Sequence, residues 1–294
     1  MKNRDKGIIC IIGAATCFAC MNLFIRLSGD LPVVQKGFFR NFVALIFSTI
    51  ILIKQVKKDN TGLKINKGNI VLLLLRSTFG MIGFLFNFYA VDRINISDAS
   101  MLNKLSPFFA IVLSYFFLKE KARWYQWLGV LLAIIGSMFI VKPSFNAEVI
   151  PAVIGLLGGL FAGMAYTCVR KMGMKGTKGP LIVFFFSLYS CVTLGPIVIF
   201  TYAPMTLNQL ICLLFTGLFA CGGQFFVTNA YTYAPAKEIS VYDYSQVIFA
   251  AILGFFFLNQ IPDWLSVVGY VIIISVAIGM FLINKEMDKK QANT

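Results

Sequence analysis

The sequence predicts an all-α integral membrane protein, with ten transmembrane helices in two inverted five-helix repeats. Three observations predict it. The 294 residues are 59% hydrophobic and only 13% charged, with thirty phenylalanines, a balance foreign to soluble domains. The apolar residues gather in runs of bilayer length. Residues 90–135 match residues 230–275 without a gap, at a constant offset of 140.

Taken in order, the runs place spans at roughly 7–28, 35–53, 70–90, 97–118, 124–141, 150–169, 180–200, 207–230, 240–258 and 263–283. The first begins after Lys2, Arg4 and Lys6 and continues to about Arg26, too far for a cleaved targeting peptide. The longest connection, Lys54 to Asn69, leaves no room for a soluble domain. All seven cysteines fall within spans. Cys17 and Cys20 form a C-x-x-C on an apolar helix with no histidine in the chain, so they read as small packing residues and not as a metal or redox site. No cofactor is expected.

The formal charge of +14 does not indicate nucleic acid, because of where the basic residues sit. Nineteen of the 26 lie in the two tails or in alternate connections on one side: Lys54 to Lys67, Lys119 to Arg123, Arg170 to Lys178 and Lys237. The opposite side carries Lys36, Arg93 and Lys142. By the positive-inside rule both termini are cytoplasmic, which demands an even number of spans in a plasma membrane.

Over the matched segments, Ala90, Ser100, Phe109, Ala110, Leu113 and Trp124 meet Ala230, Ser240, Phe249, Ala250, Leu253 and Trp264, and Phe79, Gly83 and Phe86 meet Phe219, Gly223 and Phe226. The halves are thus 1–144 and 145–294, five spans each. Five crossings reverse the entry side of the second copy, an arrangement that in carriers places substrate at mid-membrane between the halves. Phe18-Ala19-Cys20-Met21 also parallels Phe161-Ala162-Gly163-Met164. Gly155, Gly159 and Gly163 line one side of span six and predict a close helix neighbour.

Ala99-Ser100, Leu105-Ser106-Pro107-Phe108-Phe109-Ala110, Phe117-Leu118-Lys119-Glu120, Gly129 and Gly136 together resemble the EamA family of the drug/metabolite transporter superfamily. The second copy is looser, with Val247 in place of the proline and Gln260 in place of the glutamate. The resemblance implies a ten-helix carrier with cytoplasmic termini, working without ATPase machinery and with spans one, three, four and eight lining its cavity. It says little of the substrate.

Ionisable residues inside a bilayer are costly and so mark candidate sites. Arg40, Arg76 and Lys104 are candidate substrate-binding cations. Arg26, near a span end, reads as a side chain reaching for the surface. Lys104 stands three residues before Pro107, whose missing N–H loosens the helix and frees a carbonyl, making Pro107 a candidate gating element. Asp243 is the one carboxylate placed deep in a span, and the candidate for coupling to protons. A direct Lys104–Asp243 pair is not expected, because counting residues from the span ends separates them by more than about 10 Å along the membrane normal. Asn22, Asn87, Asn103, Gln224 and Asn229, each equally readable as an interhelical contact, complete the candidate binding set with Tyr242, Tyr244 and Tyr166, an aromatic of the kind that more often packs on lipid or neighbouring helices.

Three cations against one carboxylate favour a substrate bearing a carboxylate or phosphate, such as an amino acid. An organic-cation or drug exporter of the same superfamily is the alternative, although the first span lacks the glutamate of small multidrug carriers. A membrane-embedded enzyme is disfavoured by the lack of histidine and of paired deep carboxylates. The partners expected are a small molecule, the lipid bilayer and protons as coupling ion, with the protein acting as a monomer.

Overall fold

A computed structural model describes residues 3–58, 69–118, 123–142, 149–175, 177, 179–233 and 240–292. Glu120 and the basic residues Lys2, Lys64, Lys67, Lys119, Lys121, Lys178 and Lys237 lie outside the described residues.

The regular structure is helical throughout the described residues, and ten helical segments are long and apolar enough to cross a membrane. They are α1 (Asn3–Leu27), α2 (Val33–Lys58), α3 (Ile70–Val91), span four split into α4 (Ile96–Asn103) and α5 (Ser106–Leu118), α6 (Trp124–Val141), α7 (Ile150–Met174), α8 (Gly179–Thr201), α9 (Leu207–Tyr233), span nine as a 3-10 turn (Ser240–Tyr244) leading into α10 (Ser245–Leu258), and α11 (Trp264–Ala292). Helices α2, α7 and α11 outlast their apolar stretches, because helix hydrogen bonding continues into polar sequence where hydropathy stops.

Span four was expected as one helix and is two. Leu105 N donates to Leu102 O at 3.2 Å, a tightened turn, and the chain restarts at Ser106. Pro107 follows at once, in the first turn of α5, where its missing N–H costs nothing. The carbonyls left behind are those of the α4 C-terminus, and the Tyr244 hydroxyl donates to one of them, Lys104 O, at 3.3 Å.

The dominant helix pairs are α1 with α9, α3 with α7, α2 with α8, and α6 with α11. In span numbers these are 1–8, 3–6, 2–7 and 5–10, and α4 packs on α10 as 4–9. The pattern is unchanged when each span is exchanged for the one five places away, which is what a duplicated half requires. Repeat partners also contact alike. Gly83 abuts Ala162 N and Gly158 O of span six, while its counterpart Gly223 abuts the Phe18 ring of span one.

The glycine stripe of span six finds its neighbour in the break of span four. A Cβ at Gly159 would stand 2.5 Å from Leu102 O, and one at Gly163 2.9 Å from Ser106 O. Only glycine lets α7 support the interrupted helix at this distance.

Candidate substrate site

The broken span four delivers Lys104 to the middle of the bundle. Lys104 Nζ lies 2.5 Å from Asp243 Oδ2, with side chains 11% and 27% exposed. This corrects the expectation that depth keeps the two apart. The start of α4 is sunk into the protein: Ile96 packs against Gly254, four residues inside the end of span nine, and Gln260 Oε1 accepts from Ile96 N at 3.0 Å. From that level, eight residues of span four plus the lysine stem meet eleven residues of span nine. Asp243 precedes Tyr244, the residue 140 positions from Lys104, and the Tyr244 hydroxyl itself bonds Lys104 O.

Next to this pair, Asn22 Nδ2 of span one donates to Ser100 Oγ at 3.0 Å. The second oxygen of Asp243 and Asn22 Oδ1 are buried without a partner.

A second charged group gathers Arg40 and Arg76. Each lies near the start of its own span, on the consecutive spans two and three, and both settle on the Phe186 ring of span seven, at 5.7 and 3.9 Å from its centroid. Arg40 also lies 5.1 Å from the Phe84 centroid and donates to Asn41 Oδ1 at 3.0 Å. Arg40 is 8% exposed, and its Nε, together with Nε and Nη1 of Arg76, is buried without a hydrogen-bond partner. Among the described residues neither arginine has a carboxylate partner. Two guanidinium groups over one aromatic face attract the ring and repel each other. The void beside them, about 10 Å³, is lined by both arginines, Ser187 and Gln224, and is no larger than a water molecule needs.

Tyr166 of span six lies within electrostatic range of Arg40, Arg76 and Asp243, and so connects the two groups. The residue is 54% exposed. Tyr244 is buried against span four. Asn87 is buried with Oδ1 unpartnered, and Asn103 is half-buried. Asn229 and Tyr242 are exposed. Arg26 does not reach for the surface: its Nη1 donates to Val91 O at 3.0 Å and fastens span one to the end of span three.

A third group was not expected from the sequence. Lys36, counted among the few cations of the opposite side, is fully buried. Its Nζ donates to both Asp92 oxygens at 2.7 and 2.8 Å, to Gly29 O at 2.7 Å and to Ile25 O at 3.2 Å. Burial pushes the Asp92 carboxyl above the ordinary carboxylate range although Lys36 and nearby arginines pull it down. At the same end of the bundle, Gln35 and Ala203 exchange two hydrogen bonds at 3.0 Å, Gln209 donates to Ser28 O, and the Tyr270 hydroxyl donates to Asp98 at 2.5 Å. Lysine and aspartate at the ends of adjacent spans, on the side poor in positive charge, were the available signal.

A bundle of ten membrane-crossing helices, paired across two repeated halves and holding charged groups at its centre, has the build of a membrane transporter. The chain belongs to the EamA-like transporter family, whose model matches twice, over residues 5–142 and 149–284. Among its relatives, the pseudopaline exporter CntI of Pseudomonas aeruginosa is 29% identical over 94% of this chain and 95% of its own. Human solute carrier family 35 member G1 is 26% identical over 93% of this chain and 78% of its own. The S-adenosylmethionine uptake transporter of Rickettsia bellii is 26% identical over 87% and 86%. A crystal structure of another protein superposes with a TM-score of 0.62 over 92% of this chain and 95% of that one, at 14% identity, a likeness of fold alone.

Proposed function

We propose that the protein is a secondary transporter that moves a small metabolite bearing a carboxylate or phosphate across the plasma membrane by alternating access, with both termini cytoplasmic and the monomer as the working unit. The observation that carries this reading is the Arg40–Arg76 pair, buried with unpartnered N–H groups and no carboxylate beside it among the described residues. Such donors await an anion, and the guanidinium fork fits a carboxylate or phosphate in bidentate fashion. The same charge count disfavours an organic cation, since Asp243 already holds Lys104. Among the described residues no paired carboxylates or base–nucleophile set is held ready within the spans for a membrane-embedded enzyme.

The near-closed void at the arginines requires spans two and three to part from span seven when the anion enters. Two inverted halves, 1–144 and 145–294, supply the two arrangements. The end of span one and the start of span two meet the end of span seven and the start of span eight, the end of span three meets the start of span two, and the start of span four meets the end of span nine, which supports opposite threading of the copies. Lys104 and Asp243, beside the Pro107 break, are the coupling pair, with the carboxylate taking a proton when the lysine swings to substrate.

The test is a thermal-shift screen of metabolites on purified protein, followed by uptake into proteoliposomes. Arg40→Gln and Arg76→Gln are each expected to weaken binding of an anionic hit at least tenfold. Unchanged binding in both variants, or transport of quaternary amines and not of anions or zwitterions, would reject the assignment.

A further inference from the structure

A cavity of about 270 Å³ opens between spans one, two and eight, walled by Cys17, Phe47, Leu218, Phe219, Cys221 and Phe225. Its wall is almost entirely apolar, and its rim residues Phe47, Leu218 and Phe225 are 37%, 45% and 37% exposed. This volume lies just below the usual range of small-molecule sites.

The cavity does not stand alone. Ala220 and Gln224 line the arginine void, and the residues after each of them, Cys221 and Phe225, line the cavity. On span two, Ala44 lines the void and Phe47, one turn on, the cavity. The Cys221 thiol on the cavity wall lies within electrostatic range of Arg40, so the cavity and the arginine void are neighbours across spans two and eight. Glycine at 222 helps keep the space open, since a Cβ there would meet nothing nearer than Cys17 Sγ at 3.4 Å.

Resting on the anion site proposed above, we infer that this cavity is the apolar half of the same site, and that the substrate is an amphipathic anion. Its carboxylate or phosphate takes the arginines, and its apolar group lies among spans one, two and eight. An inorganic ion would leave the cavity empty, and a bare hydrocarbon would leave the guanidinium groups unpaired. One molecule carrying both parts satisfies the cations and removes apolar surface from water together.

The test uses the full chain in lipid nanodiscs, with acetate, phenylacetate and 3-phenylpropionate as probes in calorimetric titration. Affinity is expected to rise at least tenfold from acetate to 3-phenylpropionate. Leu218→Trp, which fills the cavity from its rim, is expected to shrink that gain below threefold. Gly222→Ala, a milder filling, reduces it in part. Leu214→Trp, one turn away and outside the cavity wall, preserves it. A gain that persists in both filled variants overturns the inference. So does the absence of any gain in the wild type, the result expected if a lipid chain already occupies the cavity. If neither acetate nor 3-phenylpropionate binding responds to Arg40→Gln or Arg76→Gln, the anion site itself fails, a separate outcome from failure of the cavity alone.

Discussion

Replacing Lys104 by methionine removes the ammonium that faces Asp243 at 2.5 Å and keeps most of the side-chain volume. What remains is a carboxylate with one oxygen newly abandoned and the other, Oδ1, already buried without a partner. Breaking a fully buried pair by deleting one member costs about 3–5 kcal/mol. Asp243 keeps 27% of its side-chain exposure, so water recovers part of this. A loss of about 2–4 kcal/mol follows. At about 2 °C per kcal/mol for a chain of this size, the midpoint in a detergent thermal-unfolding assay should fall by about 4–8 °C. Lys104→Met with Asp243→Asn removes both charges, and pairs removed together are often nearly neutral, so the double variant should lie within about 3 °C of the wild type. A Lys104→Met midpoint within a degree of the wild type, or a double variant that falls by the sum of the single changes, would refute the pairing as an energetic contact.

Two further perturbations test the packing and the helix ends. Gly159→Ala places a methyl 2.5 Å from Leu102 O, a backbone atom that cannot step aside, and should cost about 1–3 kcal/mol as a lowered unfolding midpoint. Gly279→Ala, with nothing within 4 Å, should be neutral or stabilising in the same assay. At the start of α11, Asp263 Oδ1 accepts from Ser266 N at 3.0 Å and Oδ2 lies 2.7 Å from Lys142 Nζ. Burial alone would raise this carboxyl, but the hydrogen bonds from Lys142 and Ser266 outweigh it and hold it below the ordinary range. The folded-state value is therefore the lower one, so its contribution is complete above about 3.9, the free aspartate value, and is lost as pH falls through the depressed folded value. Asp263→Ala should cost about 1 kcal/mol at pH 7, the usual worth of such a cap, with the difference between variant and wild-type midpoints closing as pH falls through the depressed folded value.

Ten spans, their order and their duplication were legible in the sequence. Each follows from a local quantity: the length of an apolar run, the sign of its flanks, or a match at fixed offset. Arg40, Arg76, Lys104 and Asp243 were legible as candidates for the same reason, since a charge in an apolar run is visible without knowing its neighbours. Their grouping was not legible. Arg40 and Arg76 stand near the starts of two consecutive spans, and nothing in that spacing places both on Phe186. Lys104 and Asp243 were placed at different depths because the count assumed unbroken spans beginning at the surface, whereas α4 starts within the protein and stops at Lys104.

The sequence by itself determined that this chain crosses a bilayer ten times as two related halves, because burying apolar side chains in lipid is a property of each segment taken alone. Only the tertiary structure decided which charges face one another, that Lys36 and Asp92 lock one end, and that an apolar cavity adjoins the arginines. Those facts depend on helix tilt, on where a helix breaks and on the reach of long side chains across an interface. Such relations join residues far apart in the sequence, 139 positions for Lys104 and Asp243, and leave no periodic trace along the chain.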